Sequence, residues 1–533
     1  MIINKTSLSI ILFLVLGMFS FGQNQNISNG TVFDGEPYLA VNPNDAQHMV
    51  VAWMGYIPFN YISIKTRVTF NGGDTWSEIL PIPHVNPAYG SADPSIEFNS
   101  LGQVFLSFID YNTVLDSGAV YVVRSDDGGL SWEDPVEVIN AHSDPGKYPV
   151  DRPWMSIDRS GGNHDGHIYI TTMPPKVFGL LPPPYHPYFI ASTDGGASFN
   201  QWQYLDTINW LAGNFIPQPT PTNCVSADGV FYAVYPSYVF SQNMYGQFIL
   251  ASSADAGNSF SYHSVTTIEE AISDTLVKRG YLLRCDPADA DHLVFFYLDL
   301  PYGDIDVFMT ESFDRGANWT DAVRINDDPQ ENNRMQDLVW AGFDTDGDLA
   351  VAWRDRRNGA DSTYTVSSEI WGTVRLKNTT AFSSNFRISD TLVAYDTILA
   401  YAGNDFMCIQ LADDTLNAVW GDTRNGKLNI WFQRMSLEGI LSSVHLISSE
   451  QFPEASVYPN PFSSEIAVKA IGINWIIIYD LSGKVVFRYT DNKKSLERAI
   501  DLDHLPNGIY LMHISTVNGM VTKKICKQQG VSR

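Results

Sequence analysis

Cysteine is scarce in this sequence, with four among 533 residues. The four lie far apart and none shows CxxC spacing: Cys224, Cys285, Cys408 and Cys526. Such spacing excludes a cysteine zinc site and a framework of disulfide bonds. Because three of them lie within apolar segments that are typical of strands, buried free thiols are the favoured interpretation.

Positive charge is also scarce. Lys and Arg number 33 against 59 Asp and Glu, which gives a formal net charge of −26 at pH 7. A surface this acidic argues against nucleic acid or an anionic membrane as a partner, since both carry negative charge. The charge alone does not identify a ligand.

Only the N-terminus carries a long apolar run. Lys5 precedes the segment LSIILFLVLGMF, and Ser20 and Gly22 stand at the spacing of a cleavage site. This arrangement predicts a secretory signal peptide at residues 1–22 with cleavage before Gln23, and a single uncleaved anchor is the alternative. No later segment reaches the ~18 apolar residues that a membrane span needs. We therefore expect an exported protein with no transmembrane segment after signal cleavage.

A unit of strand, Gly/Asp turn and apolar strand recurs seven times along the chain, at a spacing of about sixty residues. The seven units begin at Glu36, Asp93, Asp151, Thr220, Tyr281, Asp337 and Asp405. A third strand follows each pair, as in AVYVVRS, and short fourth strands such as VEVIN close the units. Residues 23–450 are therefore predicted to form an all-β fold, a seven-bladed (alternatively six-bladed) β-propeller.

The ring of blades needs a closing strand. The segment QNISNG, from Gln25, looks like a fourth strand displaced ahead of the first unit, and we predict that it completes the seventh blade. Pairing there would remove the open sheet edge that a ring otherwise leaves. The segment SVHLIS, near Val444, is the competing candidate.

One octet occurs five times, between the third and fourth strands of a unit. Its copies are TFNGGDTW from Thr69, SDDGGLSW from Ser125, STDGGASF from Ser192, SADAGNSF from Ser253 and SFDRGANW from Ser312. The Asp or Asn can bond the turn backbone, the glycines admit positive φ, and the last aromatic ring can pack. A residue set repeated in most blades is normally structural, and a functional site is the alternative.

The octet resembles the Asp-box, S-x-D-x-G-x-x-W, of the sialidase (neuraminidase) superfamily and its bacterial neuraminidase repeats. The resemblance covers most of residues 23–450, although units six and seven carry RLKNTTAF and RMSLEGIL instead. It implies a sialidase-like propeller and an extracellular glycan or glycoprotein as ligand. Sialidases hold the substrate carboxylate with three arginines, and they use a Tyr nucleophile assisted by a Glu and an Asp acid/base.

Strand direction predicts which face holds a site. The octets lie on one face, whereas the starts of first strands and the ends of second strands meet on the other, around the central channel. The first-strand starts carry Glu36, Asp93, Asp151, Arg152, Arg279, Arg334, Asp337 and Asp405. The candidate catalytic residues taken from this mouth are Asp110, Tyr111, Arg152, Arg279, Arg334, Asp337, Arg354 and Asp355.

Two features of the mouth argue against a simple transfer of sialidase chemistry. The family's early Arg-Ile-Pro segment has no match, because the first unit opens with GEPYLAV, so true sialidase activity is not expected. The runs RDRRNG, which contains Arg354 and Asp355, and DTRNG occupy equivalent places in neighbouring units. A shared turn with Asp–Arg pairing is therefore favoured there over catalysis.

The run DTDGD, from Asp344, has the alternating carboxylates of a Ca²⁺ loop. It also falls where every unit has its first hairpin turn, and Asp-Gly is a turn signal. The turn interpretation is favoured, and bound Ca²⁺ stays an alternative.

The pattern changes in residues 451–533. The segments SVYPNPFSSEIAVKA, WIIIYDLSGKVVFR, LPNGIYLMHIS and VTKKICKQ predict a small Ig-like β-sandwich. In this order they resemble the C-terminal sorting domain of the Bacteroidetes type IX secretion system, over Val457 to Gln529. The resemblance implies that the type IX machinery is a partner and that the protein is secreted or attached to the outer-membrane surface. An accessory binding sandwich is the alternative.

Two classes of function stay open. One is a glycan-active hydrolase or lyase that uses carboxylates and arginines of the mouth. The other is a non-catalytic binding or adhesion module on a propeller scaffold.

Overall fold

The computed structural model describes residues 23–57, 61–114, 116–175, 182–213, 221–268, 280–395, 404–448, 455–470, 472–481, 483–490, 496–516 and 519–528. The chain divides into two compact units, the first ending at Ile440 and the second beginning at Leu441. Within the described ranges, no helix is both long and apolar enough to cross a membrane. The predicted signal peptide lies outside these ranges.

The first unit consists of seven four-stranded antiparallel sheets. Strand β1 (Gln25–Asn26) comes first in the chain but belongs to the last blade. The strands of blades one to three are β2 (Asp34–Asn42), β3 (Asp45–Tyr56), β4 (Ile62–Thr69), β5 (Leu80–Pro81), β6 (Tyr89–Phe98), β7 (Val104–Asn112), β8 (Gly118–Ser125), β9 (Val136–Asn140), β10 (Trp154–Ile157), β11 (Ile168–Thr172), β12 (Tyr188–Ser192) and β13 (Gln203–Tyr204).

Blades four to six repeat the same order of four strands. Their strands are β14 (Thr222–Val225), β15 (Phe231–Ser237), β16 (Gly246–Ser253), β17 (Ser261–Ile268), β18 (Tyr281–Cys285), β19 (Leu293–Asp299), β20 (Asp306–Ser312), β21 (Val323–Arg324), β22 (Gln336–Phe343), β23 (Leu349–Asp355), β24 (Glu369–Arg375) and β25 (Phe386–Arg387). Blade seven adds β26 (Cys408–Ala412), β27 (Thr415–Asp422) and β28 (Asn429–Ser436). The seven-bladed prediction is confirmed, and the six-bladed alternative is wrong.

Strand β1 closes the ring by pairing with β28. Gln25 lies opposite Phe432 and Asn26 opposite Trp431, and the Ile27 amide donates to the Ile430 carbonyl oxygen at 2.9 Å. The predicted N-terminal closure is therefore confirmed. The competing segment SVHLIS lies in helix α1 (Leu437–Ser448) instead, so it does not supply a strand.

The blades are held together by apolar side chains that pack from one sheet onto the next. Between blades three and four, for example, the rings of Tyr169, Phe189 and Phe231 lie with centroids 5.0–5.9 Å apart and are fully buried. The middle strands are buried on both sides, which explains their nearly continuous apolar sequences. This packing fixes the positions of the first strands around the central channel.

The repeated octets form turns at the third-to-fourth strand connections, as predicted. In the second copy, the Asp127 carboxylate accepts the Ser131 amide at 2.9 Å, and the Ser125 hydroxyl accepts the Gly129 amide at 2.8 Å. Gly129 has φ of 97°, and a Cβ there would lie 2.8 Å from Val50 of the preceding blade. The octet thus joins blade to blade as well as turning the chain.

The cysteine prediction is wrong for one pair. Cys224 and Cys285 form a disulfide bond, with Cα atoms 5.9 Å apart, although they are separated by 61 residues. The two residues stand on the first strands of neighbouring blades, and the propeller brings such positions side by side. Cys408 and Cys526 are free thiols, and Cys408 is buried.

The second unit contains two antiparallel sheets. One sheet has β29 (Ala455–Tyr458), β30 (Glu465–Ala470) and β33 (Glu497–Asp501), and the other has β31 (Ile473–Tyr479), β32 (Val485–Thr490), β34 (Gly508–Thr516) and β35 (Gly519–Lys527). Alternating apolar residues of both sheets form one core that includes Ile466, Val468, Ile476, Met512 and Ile525. The predicted β-sandwich is confirmed.

Candidate functional site

Three neighbouring blades place a charged residue at the channel mouth by the same backbone device. Glu36, Asp93 and Arg152 have φ of 55°, 55° and 46°, and each precedes a proline. The strand register shifts at the first two of these positions, between Gly35 and Tyr38 and between Ala92 and Ser95. Left-handed backbone at a non-glycine residue costs about 1–3 kcal/mol, and strain of this kind clusters at functional sites. Bulges of this kind re-aim a side chain.

The carboxyl groups at the mouth lie close together. Asp93 is hydrogen-bonded to the carboxyl groups of both Glu36 and Asp151. Burial raises the pKa of Glu36 well above its usual range, and the charges of Asp93 and Asp405 raise it further. Burial and the charge of Asp93 likewise raise the pKa of Asp151. Both shifts favour the protonated form of Glu36 and of Asp151, because burial and a neighbouring negative charge oppose ionisation.

Arg152 is the cation of this cluster. Its guanidinium is paired with the Asp405 carboxylate, and the two side chains are 13% and 22% exposed, so the pair reaches solvent. Burial alone would lower the pKa of Arg152, but the charges of Asp405, Asp151, Asp93 and Glu36 raise it overall. The mouth therefore keeps one permanent positive charge among four carboxyl groups.

Tyr111 lies beside the same carboxyl groups. Burial, followed by the negative charges of Asp93, Asp151 and Glu36, raises the pKa of Tyr111 well above its ordinary value. Its hydroxyl therefore stays protonated at neutral pH and can donate a hydrogen bond. The structure brings Tyr111 and Arg152 together, as the sequence-based candidates require.

Aromatic rings close the channel directly below the carboxyl groups. The Tyr38 ring lies 5.6 Å from Trp154 and 5.2 Å from Trp340, and Phe406 lies 5.3 Å from Trp154. We call these four side chains the aromatic floor. Asp93 and Arg152 line a narrow cleft whose base is formed by Trp154 and Phe406.

Three polar atoms at the mouth have unused hydrogen-bonding capacity. Glu36 Oε2, Arg152 Nη1 and Trp154 Nε1 are buried and have no hydrogen-bond partner within the described part of the chain. Buried polar atoms in folded proteins are normally paired, so such a group calls for an explanation. A ligand with hydroxyl and ring-oxygen groups would supply the missing partners.

Asp110 lies away from this cluster, although it precedes Tyr111 in the chain. Its carboxylate is fully buried and accepts from the His84 ring at 2.8 Å, the Val85 amide at 2.8 Å and the Ser91 hydroxyl at 3.0 Å. Successive residues of a strand point to opposite faces, which separates the two side chains. Asp110 stabilises the interior of blade two.

Asp337 and Arg354 form a closed ion cluster in blade six. The Asp337 carboxylate receives Arg354 Nε at 2.7 Å and Nη2 at 2.5 Å, and Arg356 Nη1 at 3.2 Å. The Tyr364 hydroxyl donates to the same carboxylate at 3.0 Å. Burial alone would raise the pKa of Asp337, but the two guanidinium charges hold it far below the usual range. Both oxygens of the Asp337 carboxylate therefore accept hydrogen bonds from other side chains of the protein.

Asp355 takes part in the predicted Asp–Arg turn. It accepts from Trp353 Nε1 at 2.7 Å and from Arg357 Nε at 3.0 Å. In blade seven, Asp422 accepts in the same way from Trp420 at 2.8 Å and from Arg424 at 3.0 Å. The shared structural turn that the two similar runs predict is confirmed.

Two sequence-based candidates remain, Arg334 and Arg279. Arg334 donates its backbone amide to Asp304 Oδ2 at 2.7 Å, in the connection between blades five and six. Arg279 lies outside the described residues.

Four mouth residues were identified as first-strand starts but not as site candidates: Glu36, Asp93, Asp151 and Asp405. A local signal for two of them, and for Arg152, is a charged residue immediately before proline at the start of a first strand, as in EPY, DPS and RPW. No arginine lies next to EPY or DPS, so the carboxyl groups of Glu36 and Asp93 have no cationic partner in their own segment.

The segment DTDGD forms the first hairpin turn of blade six. The Asp344 amide donates to the Asp348 carbonyl at 2.8 Å, and the Asp344 carboxylate accepts the Asp414 amide of the next blade at 2.9 Å. Within the described ranges, no group of three or more His, Cys, Asp or Glu side chains is arranged to hold a metal ion. The turn interpretation accounts for these residues.

Residues 456–528 match the family model described as "Secretion system C-terminal sorting domain". The match covers the second unit from β29 to β35 and confirms the predicted sorting domain. A search of the curated proteins finds no match.

Several solved structures resemble the chain. An α-L-arabinofuranosidase from Fusarium graminearum is 13% identical, with 79% of this chain and 99% of that chain covered and a TM-score of 0.46. The Trypanosoma rangeli sialidase is 9% identical, with 96% and 89% covered and a TM-score of 0.41. A protein of unknown function from Dyadobacter fermentans is 15% identical, with 67% and 97% covered and a TM-score of 0.42.

Identities and TM-scores this low carry no argument about activity. The propeller assignment rests on the strand topology of the chain itself. The chain thus combines a seven-bladed β-propeller with a secretion-system C-terminal sorting domain, and the sorting domain implies export from the cell.

Proposed function

We propose that the channel mouth hydrolyses glycosidic bonds in a neutral extracellular glycan. The observation that carries the proposal is the group of neighbouring carboxyl side chains at the mouth, in which burial and the charge of Asp93 raise the pKa of Glu36 and of Asp151. Glycoside hydrolysis commonly needs one protonated carboxyl group and one ionised carboxylate, and a difference in environment sets the two apart.

In this proposal Glu36 is the general acid. Its raised pKa keeps the proton available near neutral pH, and its Oε2 atom has no partner among the described side and main chains. Asp93 acts as the base or nucleophile. Asp151 hydrogen-bonds to Asp93 and positions it. The protonated Tyr111 hydroxyl and Arg152 Nη1 bind hydroxyl or ring oxygens of the sugar.

The charge of the mouth supports a neutral substrate. Among the described residues of the cluster, Arg152 is the one arginine, it is already paired with Asp405, and the other charged groups are acidic. A carboxylate-bearing sugar such as a sialic acid would meet repulsion there instead of the arginine forks that bind carboxylates.

Export of the protein supports a substrate outside the cell. The sorting domain leads us to propose delivery by the type IX secretion machinery to the cell surface or the medium. A polymer or glycoprotein glycan would approach the open face of the ring, where the mouth cluster reaches solvent.

The test is a panel of chromogenic glycosides and neutral polysaccharides, with a sialoside included, assayed on the full purified chain. We expect turnover of at least one neutral substrate and a loss of 10²- to 10⁴-fold in Glu36→Gln, the usual contribution of a general acid. Asp127→Asn, on the octet face, is the matched carboxylate control and should keep full activity.

Two outcomes would contradict the proposal. Preferred hydrolysis of the sialoside would refute the charge argument. Retention on a glycan array without turnover of any substrate would instead support the non-catalytic binding module.

A further inference from the structure

A second cavity lies in the central channel on the other side of the aromatic floor. It has a volume of about 250 Å³, and first strands of all seven blades contribute to its wall. Tyr38 belongs to the aromatic floor and also lines this cavity, so the floor separates it from the mouth. Residues of the first hairpin turns, including Ser160, Ala227 and Pro287, line its other end. It therefore opens toward the octet face.

Two arginines give this cavity a positive charge. Arg284 is held by the Ala341 carbonyl at 2.9 Å and the Leu283 carbonyl at 3.1 Å, and its guanidinium lies 5.0 Å from the centre of the Trp340 ring. These hydrogen-bond partners are uncharged, and the acidic group of the lining that acts on Arg284 is Glu97. Arg159 lies 3.5 Å from Glu97, the one acidic side chain in the lining.

Glu97 balances at most one of the two arginines. Burial raises the pKa of Glu97, an effect that the nearby Arg159 and Arg284 only partly offset. The cavity is therefore net positive, although the whole chain carries a formal charge of −26. Positive potential inside an acidic protein attracts a small anion strongly, because the walls exclude water and screen the charge little.

Two buried polar atoms of the lining have no partner in the described ranges, Asn223 Oδ1 and Ser156 Oγ. Asn223 is 6% exposed and Ser156 8%. The Asn223 amide is fixed because its Nδ2 donates to the Trp154 carbonyl at 2.9 Å and to the Thr171 hydroxyl at 2.7 Å. Leaving such an atom unpaired costs about 1–3 kcal/mol, and a bound hydroxyl group would remove that cost.

We propose that this cavity binds a small carboxylate that also carries hydroxyl groups, of the size of one sugar acid. The carboxylate meets Arg284 and Arg159, and the hydroxyl groups meet Asn223 Oδ1 and Ser156 Oγ. The cavity, with a volume of about 250 Å³, has room for one sugar acid. The proposal does not depend on the activity proposed for the mouth.

The test is isothermal titration calorimetry of the full chain with D-glucuronate, with D-glucose as the uncharged analogue and sodium sulfate as a simple anion. We expect glucuronate to bind at least tenfold more tightly than either. Arg284→Met should weaken glucuronate at least tenfold, and the partly exposed Arg159→Met gives a second variant that keeps the buried wall intact. Glu36→Gln, at the mouth, should bind glucuronate as the parent does.

Other results would overturn the proposal. Equal affinity for glucose and glucuronate would refute the role of the arginines, and sulfate binding as tight as glucuronate would leave an inorganic anion site only. Loss of glucuronate binding in Glu36→Gln would place the ligand at the mouth. Unchanged binding in folded Arg159→Met, checked by its Tm, would also contradict the model.

Discussion

Two groups of buried acidic residues in the propeller behave in opposite ways. Asp337 in blade six is fully buried, but two arginines and a tyrosine use its acceptors and hold its pKa far below the usual range. Glu36 at the mouth is 2% exposed, and its burial, together with its carboxyl neighbours, raises its pKa instead. A buried charge with its partners in the same blade stabilises the fold, whereas buried acids that face one another are retained for another reason, which we propose is catalysis.

The local sequence explains the difference. Asp337 pairs with Arg354 and Arg356 on the adjoining strand and turn of its own blade, so this sheet supplies its own counter-ions. Glu36 and Asp93 come from different blades and stand on left-handed backbone. The two carboxyl groups come together only when the ring of blades closes, and neither of their strands carries a Lys or Arg side chain.

The largest expected effect is on turnover. Glu36→Gln keeps the shape of the side chain but removes the proton that the mouth holds, so kcat on a glycoside that the parent hydrolyses should fall 10²- to 10⁴-fold. The Tm should stay about equal, because glutamine replaces a carboxyl group that its raised pKa already holds in the neutral form. A fall in Tm together with full activity would place Glu36 in the same class as Asp337.

The second effect is on stability. Asp337→Asn leaves Arg354 and Arg356 without their buried counter-ion, which should cost about 3–5 kcal/mol of unfolding free energy in a urea titration. Asp126→Asn is the matched control, since the Arg124–Asp126 pair is exposed, and it should cost less than about 1 kcal/mol. Equal unfolding free energies of the two variants would contradict the special role of the buried ion cluster.

An exposed carboxylate bound by its own turn should have an intermediate effect. Asp127→Ala removes the acceptor of the Leu130 and Ser131 amides, at 3.1 and 2.9 Å, and should cost about 1–2 kcal/mol. Activity per folded molecule should not change, since the octet lies on the opposite face from the mouth. Loss of activity in a variant that melts normally would show that the two faces have been assigned the wrong roles.

The smallest effect concerns pH and a histidine that has two acidic partners. His292 Nδ1 lies 2.9 Å from Asp286 and Nε2 lies 3.1 Å from Glu311. Burial alone would lower the pKa of His292, but these carboxylates raise it, so protonation stabilises the fold. The contribution, on the order of 1 kcal/mol, is complete below the unfolded pKa of about 6.5 and is lost as pH rises through the higher folded pKa.

Urea titrations across pH 5 to 9 check this behaviour. His292→Gln should flatten the dependence of stability on pH in this window. His48 provides the matched control, because its ring nitrogens face the Asn42 amide and the Gly128 carbonyl, which are neutral. An equal change in His48→Gln would show that the carboxylates are not the cause.

The sequence predicted the fold well because each blade repeats the same local signals. The period of the strands gave the blade number, and QNISNG resembled a fourth strand closely enough to predict the closure at Gln25. The disulfide was missed because Cys224 and Cys285 are one repeat apart, and only their equivalent positions in neighbouring blades bring them together.

The site was harder to predict, since its properties arise between blades. Asp110 and Tyr111 are adjacent in sequence, but strand alternation sends Asp110 to His84 and Tyr111 to the mouth. Glu36 and Asp93 are 57 positions apart, and neither shows its partner in its own segment. The charged residue before proline was the local signal for the site in the sequence. The backbone strain at that position is visible only in the structure, as a positive φ angle.

The protonation of Glu36 tests the central claim most directly. Infrared difference spectra of the full chain at pH 7, parent minus Glu36→Gln, should show the carbonyl band of a protonated carboxylic acid. The parent minus Asp337→Asn difference should show only the bands of an ionised carboxylate, because two arginines keep Asp337 charged. A protonated-acid band absent from the Glu36 difference, or present in the Asp337 difference, would contradict the distinction between the two groups.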